Sequence, residues 1–287
     1  MIRVHILSMT LLGALASGCY DNGEKTDCVG LSCGPGLEWP DGGEASIRYV
    51  RYPDGTEWRA LIAFFIDQQS PEILTQGELN KCAMEPSFAN VDSRRFYDVG
   101  ESVTFNMGGE SVVVPRVTGE QAVDFTTRQF EVAYLLETYE PTTPEFFNNS
   151  HSVTADDGSM PVTIDSIYMP PKLDILAPLP EGTSGMVTIQ RGKELVVEWK
   201  EVEPPPVEIS TAAAIFFLDL SQSSYPIVCF SLNSGRFVVP ADIVDQIPAN
   251  GLLQAGTVAN EAVLTPDGRR IDTWGTNCSA VPYTTVN

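Results

Sequence analysis

QFEVAYLLE, residues 129–137, alternates in a way that only an extended chain can use. Phe130, Val132, Tyr134 and Leu136 share one parity and so fall on one face of a strand, the buried face of an antiparallel sheet. The same pattern recurs on either side of it. ASIRYVRY (45–52), WRALIAFFID (58–67), SVTFNM (102–107), SVVVPRV (111–117) and PVTIDSIYMP (161–170) are short runs rich in β-branched and aromatic residues. Asp54-Gly55, Gly108-Gly109 and Asp157-Gly158 supply turns, because glycine adopts positive φ without steric cost. A short helix is expected between Ser70 and Cys82, where PEILTQGEL has helical spacing interrupted by Gly77. ETYEPTTPEFFNNSHS, residues 137–152, reads as a long surface loop.

Proline recurs in MPPKLDILAPLPEG, residues 169–182, and a central strand cannot form there, so a domain boundary is placed at 170/171. Beyond it the strand pattern restarts in MVTIQRGKELVVEWK, STAAAIFFLDLS, YPIVCFSL, GRFVVP, LLQAGTV, RRIDTWG and SAVPYTT. Short strands separated by turns fit a sandwich, with Trp199 in its core and one or two helical turns in ADIVDQI between Pro240 and Pro248. Antiparallel pairing should dominate, because the connections are too short for repeated βαβ crossovers. The expected fold is all-β, with two antiparallel immunoglobulin-like β-sandwich domains at 45–170 and 171–287.

Composition narrows the function. Among 287 residues, 38 acidic side chains against 17 basic ones leave a formal net charge of -21. Nucleic-acid binding needs clustered Lys and Arg, so it is not expected, and neither is electrostatic adhesion to anionic lipid.

The N-terminus points to export. Arg3 and His5 precede an apolar run from Ile6 to Ala16, and small residues then lead to Cys19. The run is shorter than the ~20 apolar residues of a membrane-spanning helix. Leu15, Ala16, Ser17, Gly18 and Cys19 resemble the lipobox of bacterial lipoproteins. That resemblance implies cleavage after residue 18, a diacylglyceryl thioether on Cys19 and stable anchoring by more than one acyl chain. Tyr20 follows the cysteine, so outer-membrane anchoring is favoured by analogy. Residues 1–18 are then a signal peptide and 19–44 a cysteine-bearing tether.

With Cys19 lipidated, Cys28, Cys33, Cys82, Cys229 and Cys278 remain as disulfide candidates. Cys229 and Cys278 share the C-terminal half and form the preferred pair. Cys28 and Cys33 could close a small loop, or one of them could reach Cys82. Should Cys19 stay a thiol, three bridges are allowed.

The tether, the β-rich region and ELVVEWK…IVCFSLNSGRFVVPADIVDQIP together resemble a group of uncharacterised lipoproteins from myxobacteria and their relatives. The features that carry the resemblance are Trp199, Cys229, Phe237 to Pro240 and Ala241 to Ile247. It implies an envelope location and a sandwich architecture, with no activity attached.

Motifs for chemistry are sparse. Past the signal, His151 is the one histidine, and neither C-x-x-C nor H-E-x-x-H occurs, so no metal or other cofactor is expected. Asp156 and Asp157 make an acidic turn without the full EF-hand pattern. G-x-S-x-G is absent, and His151 in NNSHS reads as part of an exposed polar loop. Abundant carboxylates do not by themselves make a glycosidase pair. The expected role is non-enzymatic adhesion, envelope scaffolding or binding, with the membrane met through the lipid anchor and an envelope protein or glycan as partner. The alternative is a carbohydrate-binding or carbohydrate-active exported protein. Trp39, Trp58, Tyr139, Phe146, Phe147, Trp274 and Tyr283 are its candidate aromatics, with Phe146, Phe147 and Trp274 the proposed binding surface.

Overall fold

The computed structural model describes residues 19–21, 26–28, 42–67, 80–84, 95–96, 98–118, 132–140, 142–155, 162–180, 185–200, 210–219, 224–232, 234–264 and 270–287. The N-terminal strands are β1 (Cys19–Asp21), β2 (Thr26–Cys28), β3 (Gly42–Arg51), β4 (Glu57–Asp67), β5 (Lys81–Met84) and β6 (Arg95–Phe96). They are followed by β7 (Ser102–Met107), β8 (Glu110–Thr118), β9 (Val132–Thr138), β10 (Asn149–Ala155), β11 (Val162–Met169) and β12 (Ile175–Ala177). The C-terminal strands are β13 (Val187–Gln190), β14 (Leu195–Trp199), β15 (Ser210–Asp219), β16 (Ser224–Ser231), β17 (Arg236–Val239), β18 (Asn250–Leu264) and β19 (Arg270–Val286). One short helix, α1 (Ala241–Val244), lies in the ADIVDQI segment.

Twelve strands run in the order β11-β10-β7-β8-β9-β4-β3-β19-β18-β15-β16-β5, and β13 and β6 join on β19 and β4 to complete a 14-stranded sheet. A second sheet, β12-β14-β17, has three strands, and β1 pairs with β2, with Cys19 opposite Cys28. Most pairings are antiparallel, as expected. The exceptions are β3 and β13, which both lie parallel to β19. Such a pairing needs a long crossover, and almost the whole chain separates β3 from β19.

Local chemistry sets the hairpins. Between β3 and β4 the Asp54 carboxylate accepts from Thr56 N–H at 2.9 Å, and Gly55 takes φ +82°. Between β7 and β8, Gly108 and Gly109 sit at φ +55° and +88°, the two consecutive positive values of a tight hairpin turn. Both turns fall at glycines that the sequence marks for them.

The large sheet is buried on both faces. Odd-numbered residues of β3 and β4, such as Ile47, Tyr49, Leu61 and Phe65, join Phe105, Tyr134 and Ile164 in one core. Further along the same face, the three-stranded sheet contributes Val197, Trp199 and Val239, which pack on Ile215, Phe217 and Tyr283. The opposite face buries Trp58, Ile62, Phe216, Phe230, Trp274 and Cys278. The result is an all-β, sandwich-like fold with apolar layers on both sides of its central strands. Trp199 is in the core, as its strand pattern predicts, and Tyr134 is fully buried with Val132 and Leu136 packed beside it.

Several expectations need correction. Hydrogen bonding crosses the boundary expected at 170/171, because β3 lies beside β19 from Gly42↔Arg270 to Arg51↔Ser279. The segment after β11 also docks on β19: Asn277 Nδ2 donates to the carbonyls of Pro170 and Pro171 at 3.3 and 2.7 Å, and Ser279 Oγ donates to Leu173 O at 2.7 Å. Gly275 permits this approach, since a Cβ there would stand 1.8 Å from Tyr168 O. The loop expected at 137–152 contains the end of β9, a 3-10 turn at Pro144–Phe146 and the start of β10. Of the helix expected between Ser70 and Cys82, residues 71–79 lie outside the described residues, while Asn80 is in a turn and Lys81 starts β5. The signal peptide, Cys33, Trp39, Phe130, Asp156, Asp157 and the Asp157-Gly158 turn also lie outside them.

Candidate functional site

The cysteines resolve differently from the expected pairing. Cys82 on β5 and Cys229 on β16 are register partners and are joined by a disulfide, with Cα atoms 3.9 Å apart. Cys278 is a free, buried thiol. The expected Cys229–Cys278 bridge is therefore overturned, and strand alternation explains why. Cys229 points into the core beneath the three-stranded sheet, whereas Cys278 points into the core on the opposite face. Sharing the C-terminal half of the sequence does not bring them together. Burial pushes the Cys278 thiol up to about 12, against the opposing charge of Arg48. A thiol held that high is not a nucleophile at neutral pH.

The proposed aromatic surface is internal. Phe146 is 2% exposed and Trp274 is 1% exposed, while Phe147 is partly buried against the first core. The Phe146 and Phe147 rings meet edge-on at 5.0 Å, and Phe147 packs edge-on against Tyr49 at 4.8 Å. The pair thus plugs its own segment onto β3 and β4, because two adjacent phenyl rings gain more from burial than from water. Trp58 and Tyr283 are buried too, which leaves Tyr139, 52% exposed, as the open aromatic among the described candidates.

His151 is likewise not in an exposed loop. It lies on β10, is 2% exposed and stacks on Phe146 at 5.2 Å, with Nε2 2.8 Å from the Phe146 carbonyl. That contact makes Nε2 the protonated nitrogen and leaves Nδ1 without a hydrogen-bond partner. Burial, partly opposed by the Phe146 carbonyl, holds its pKa below the ordinary 6.5, and nearby Arg59 lowers it further. The ring is thereby kept neutral. Arg59 lies over Phe146, 5.6 Å from its ring centre, and pairs with Glu110 at 3.4 Å.

Beside this plug lies a group that the strand pattern does not flag. Glu57 receives Thr142 N–H and Oγ1–H, each at 3.0 Å, and Lys172 Nζ at 3.1 Å. Lys172 also lies 4.5 Å from the Phe147 ring centre and 5.3 Å from that of Tyr49. Partial burial works against the Glu57 charge. The Tyr49 hydroxyl, close by although outside good hydrogen-bond geometry, and the Thr142 and Lys172 donors outweigh it, leaving the pKa at about 2. A carboxylate so firmly ionised does not exchange protons near neutrality. Its work is to tie residues 142 and 172 to the start of β4. The three partners are separated in sequence by 85 and 115 positions, so no local motif could announce them.

Among the described residues, no group of three or more His, Cys, Asp or Glu is placed to hold a metal ion. No helix there is long and apolar enough to cross a membrane.

No protein-family profile matches the chain, and no curated protein matches it. Among solved structures, the FN1-FN3 domains of chicken CNTN1 align over 86% of this chain and 68% of that one, at 10% identity and a TM-score of 0.21. So low a TM-score leaves the fold description to rest on the strands and cores above.

Proposed function

We propose that the chain is an exported, lipid-anchored envelope protein that acts by binding or scaffolding rather than by catalysis. The observation that carries this reading is the Cys82–Cys229 disulfide, since such bridges form and persist in oxidising compartments outside the cytosol. The apolar run and small residues before Cys19, together with the resemblance to envelope lipoproteins, point the same way. The two cores on one face of the large sheet are read as two sandwich halves that share their central strands. The ionisable groups near the aromatic plug favour a structural role: His151 is held neutral inside the fold, and Glu57 is held ionised by its partners.

Mass spectrometry of the N-terminal peptide from membrane-extracted protein tests the anchor. The expected peptide begins at Cys19 and carries a diacylglyceryl group. A peptide retaining residues 1–18 with an unmodified Cys19 would sink the proposal.

A further inference from the structure

The segment between β9 and β10 is fastened at both ends and plugged in the middle. At one end Thr142 donates its N–H and its hydroxyl to Glu57, each at 3.0 Å. At the other, Asn148 N–H donates to Met169 O at 2.8 Å, and the Tyr168 hydroxyl donates to Asn148 Oδ1 at 2.6 Å. Between these anchors the 3-10 turn at Pro144–Phe146 has two backbone bonds of its own, Phe146 N–H to Thr143 O at 3.1 Å and Phe147 N–H to Pro144 O at 3.2 Å. Thr143 adds no side-chain cap. So short a turn does not persist by itself, and burial of the Phe146 ring holds it.

His151 grips that residue twice, stacking on its ring at 21° and bonding its carbonyl through Nε2. Arg59 faces the same ring. A proton on Nδ1 would find no acceptor and would set a second positive charge against the ring that Arg59 already faces. The other charged or titratable groups around the plug are Glu110 on β8, paired with Arg59, and Glu145, exposed in the turn itself. Tyr49 on β3, and Lys172 with Glu57, lie on the Phe147 side. From β11 the apolar Ile167 stands opposite His151. The Phe146 carbonyl favours the imidazolium, but burial and Arg59 outweigh it.

We propose that residues 143–147 form an acid-released latch: protonation of His151 expels the Phe146 ring from the core, while Thr142 and Asn148 stay anchored as its hinges. Glu57 keeps its charge down to about 2, so the Thr142 anchor outlasts the neutral state of His151. The Asn148 anchor is made of a backbone amide and a phenol, which do not change charge between neutrality and mild acid. Opening presents to solvent an aromatic residue that is hidden at neutral pH. The latch works from side chains of the fold alone, so it stands apart from the envelope reading.

The test is amide hydrogen exchange at Phe146 and Phe147 in the full chain, corrected for intrinsic rates, with the His151 ring followed by NMR in the same samples. With an open state that titrates at the ordinary 6.5, lowering the pH from 8 to 5 should multiply the opening equilibrium by up to roughly thirtyfold. Because the opening is local and exposes little surface, low urea should leave this exchange almost unchanged, whereas exchange through global unfolding rises steeply with urea. His151→Phe keeps an aromatic ring against Phe146 and should abolish the acid response. Arg59→Met removes the charge that opposes protonation and should shrink the response, which keeps the test informative should the first variant misfold. The latch would be overturned by exchange that changes less than about threefold down to pH 5, or by acceleration with the urea dependence of global unfolding. It would equally be overturned by an undiminished acid response in these variants, or by a His151 ring that titrates at its ordinary value while Phe146 and Phe147 stay protected.

Discussion

Replacing Cys82 and Cys229 together by alanine removes a bridge whose ends are 147 residues apart in sequence. The chain-entropy treatment of a closed loop of that length gives roughly 17 cal/mol/K, or about 5 kcal/mol at 25 °C, lost from the stability of the native state. The loss falls on the unfolded side of the equilibrium. In the folded protein β5 remains held to β16 by register pairs from Phe230↔Lys81 to Ile227↔Met84, and Asn80 N–H donates to Phe230 O at 2.7 Å. Little cavity is added, because alanine retains each β-carbon and only the two bridging sulfurs, of buried Cys229 and partly buried Cys82, vanish. For a chain of this size, about 5 kcal/mol corresponds to a melting point lowered by about 8 °C. Urea and thermal unfolding followed by tryptophan fluorescence measure the difference. Alkylation and peptide mapping of the oxidised wild type should join Cys82 to Cys229 and find Cys278 alkylated. A destabilisation below about 1 kcal/mol would refute the loop-entropy reasoning, and a Cys229–Cys278 linked peptide would refute the pairing itself.

Phe146→Ala should cost about 3–5 kcal/mol, because it empties the space between Tyr49, Phe147 and His151, and equilibrium urea unfolding reads it directly. A cost below about 1 kcal/mol would mean that the ring is not a core plug. Gly275→Ala places a Cβ 1.8 Å from Tyr168 O, so it should cost roughly 1–3 kcal/mol or more and speed amide exchange in β11. Retention of wild-type exchange rates there would deny the close crossing of β11 over β19. Acid should destabilise the protein in two windows, since His151 and Glu57 both have folded-state pKa values below their ordinary ones and the unfolded chain takes up each proton first. His151 contributes fully above 6.5 and less as the pH falls below it, while Glu57 contributes above 4.5 and loses its share down to about 2. Stability against pH should therefore lose its upper step in His151→Phe and its lower step in Glu57→Gln; stability that rises between pH 7 and 5 would contradict a buried neutral His151.

The strands were legible because alternation is a local property. Val132, Tyr134 and Leu136 share a face whatever surrounds them, and Gly108-Gly109 makes a tight turn from its own backbone freedom. Trp199 could be assigned to a core for the same reason. The candidate site was much less legible. ASIRYVRY alternates Ser46 and Arg48 with Ile47 and Tyr49, which reads as one wet face and one dry one; the sheet buries both. NNSHS has the composition of an exposed loop, yet its histidine sits inside β10 against Phe146. Glu57, Thr142 and Lys172 carry no pattern at all until the fold assembles them.

By itself, then, the sequence determined that the chain is all-β, where its main turns fall, that it carries a strong acidic excess, and that an apolar run and small residues precede Cys19. Tertiary structure alone decided that β3 runs parallel beside β19, that Cys82 rather than Cys278 meets Cys229, and that Phe146 and Trp274 are interior. The physical reason is the range of the forces involved. Period and turn chemistry are set by neighbours a few residues apart, whereas register, the facing of each side chain and burial on a second face depend on segments that meet only when the whole sheet closes.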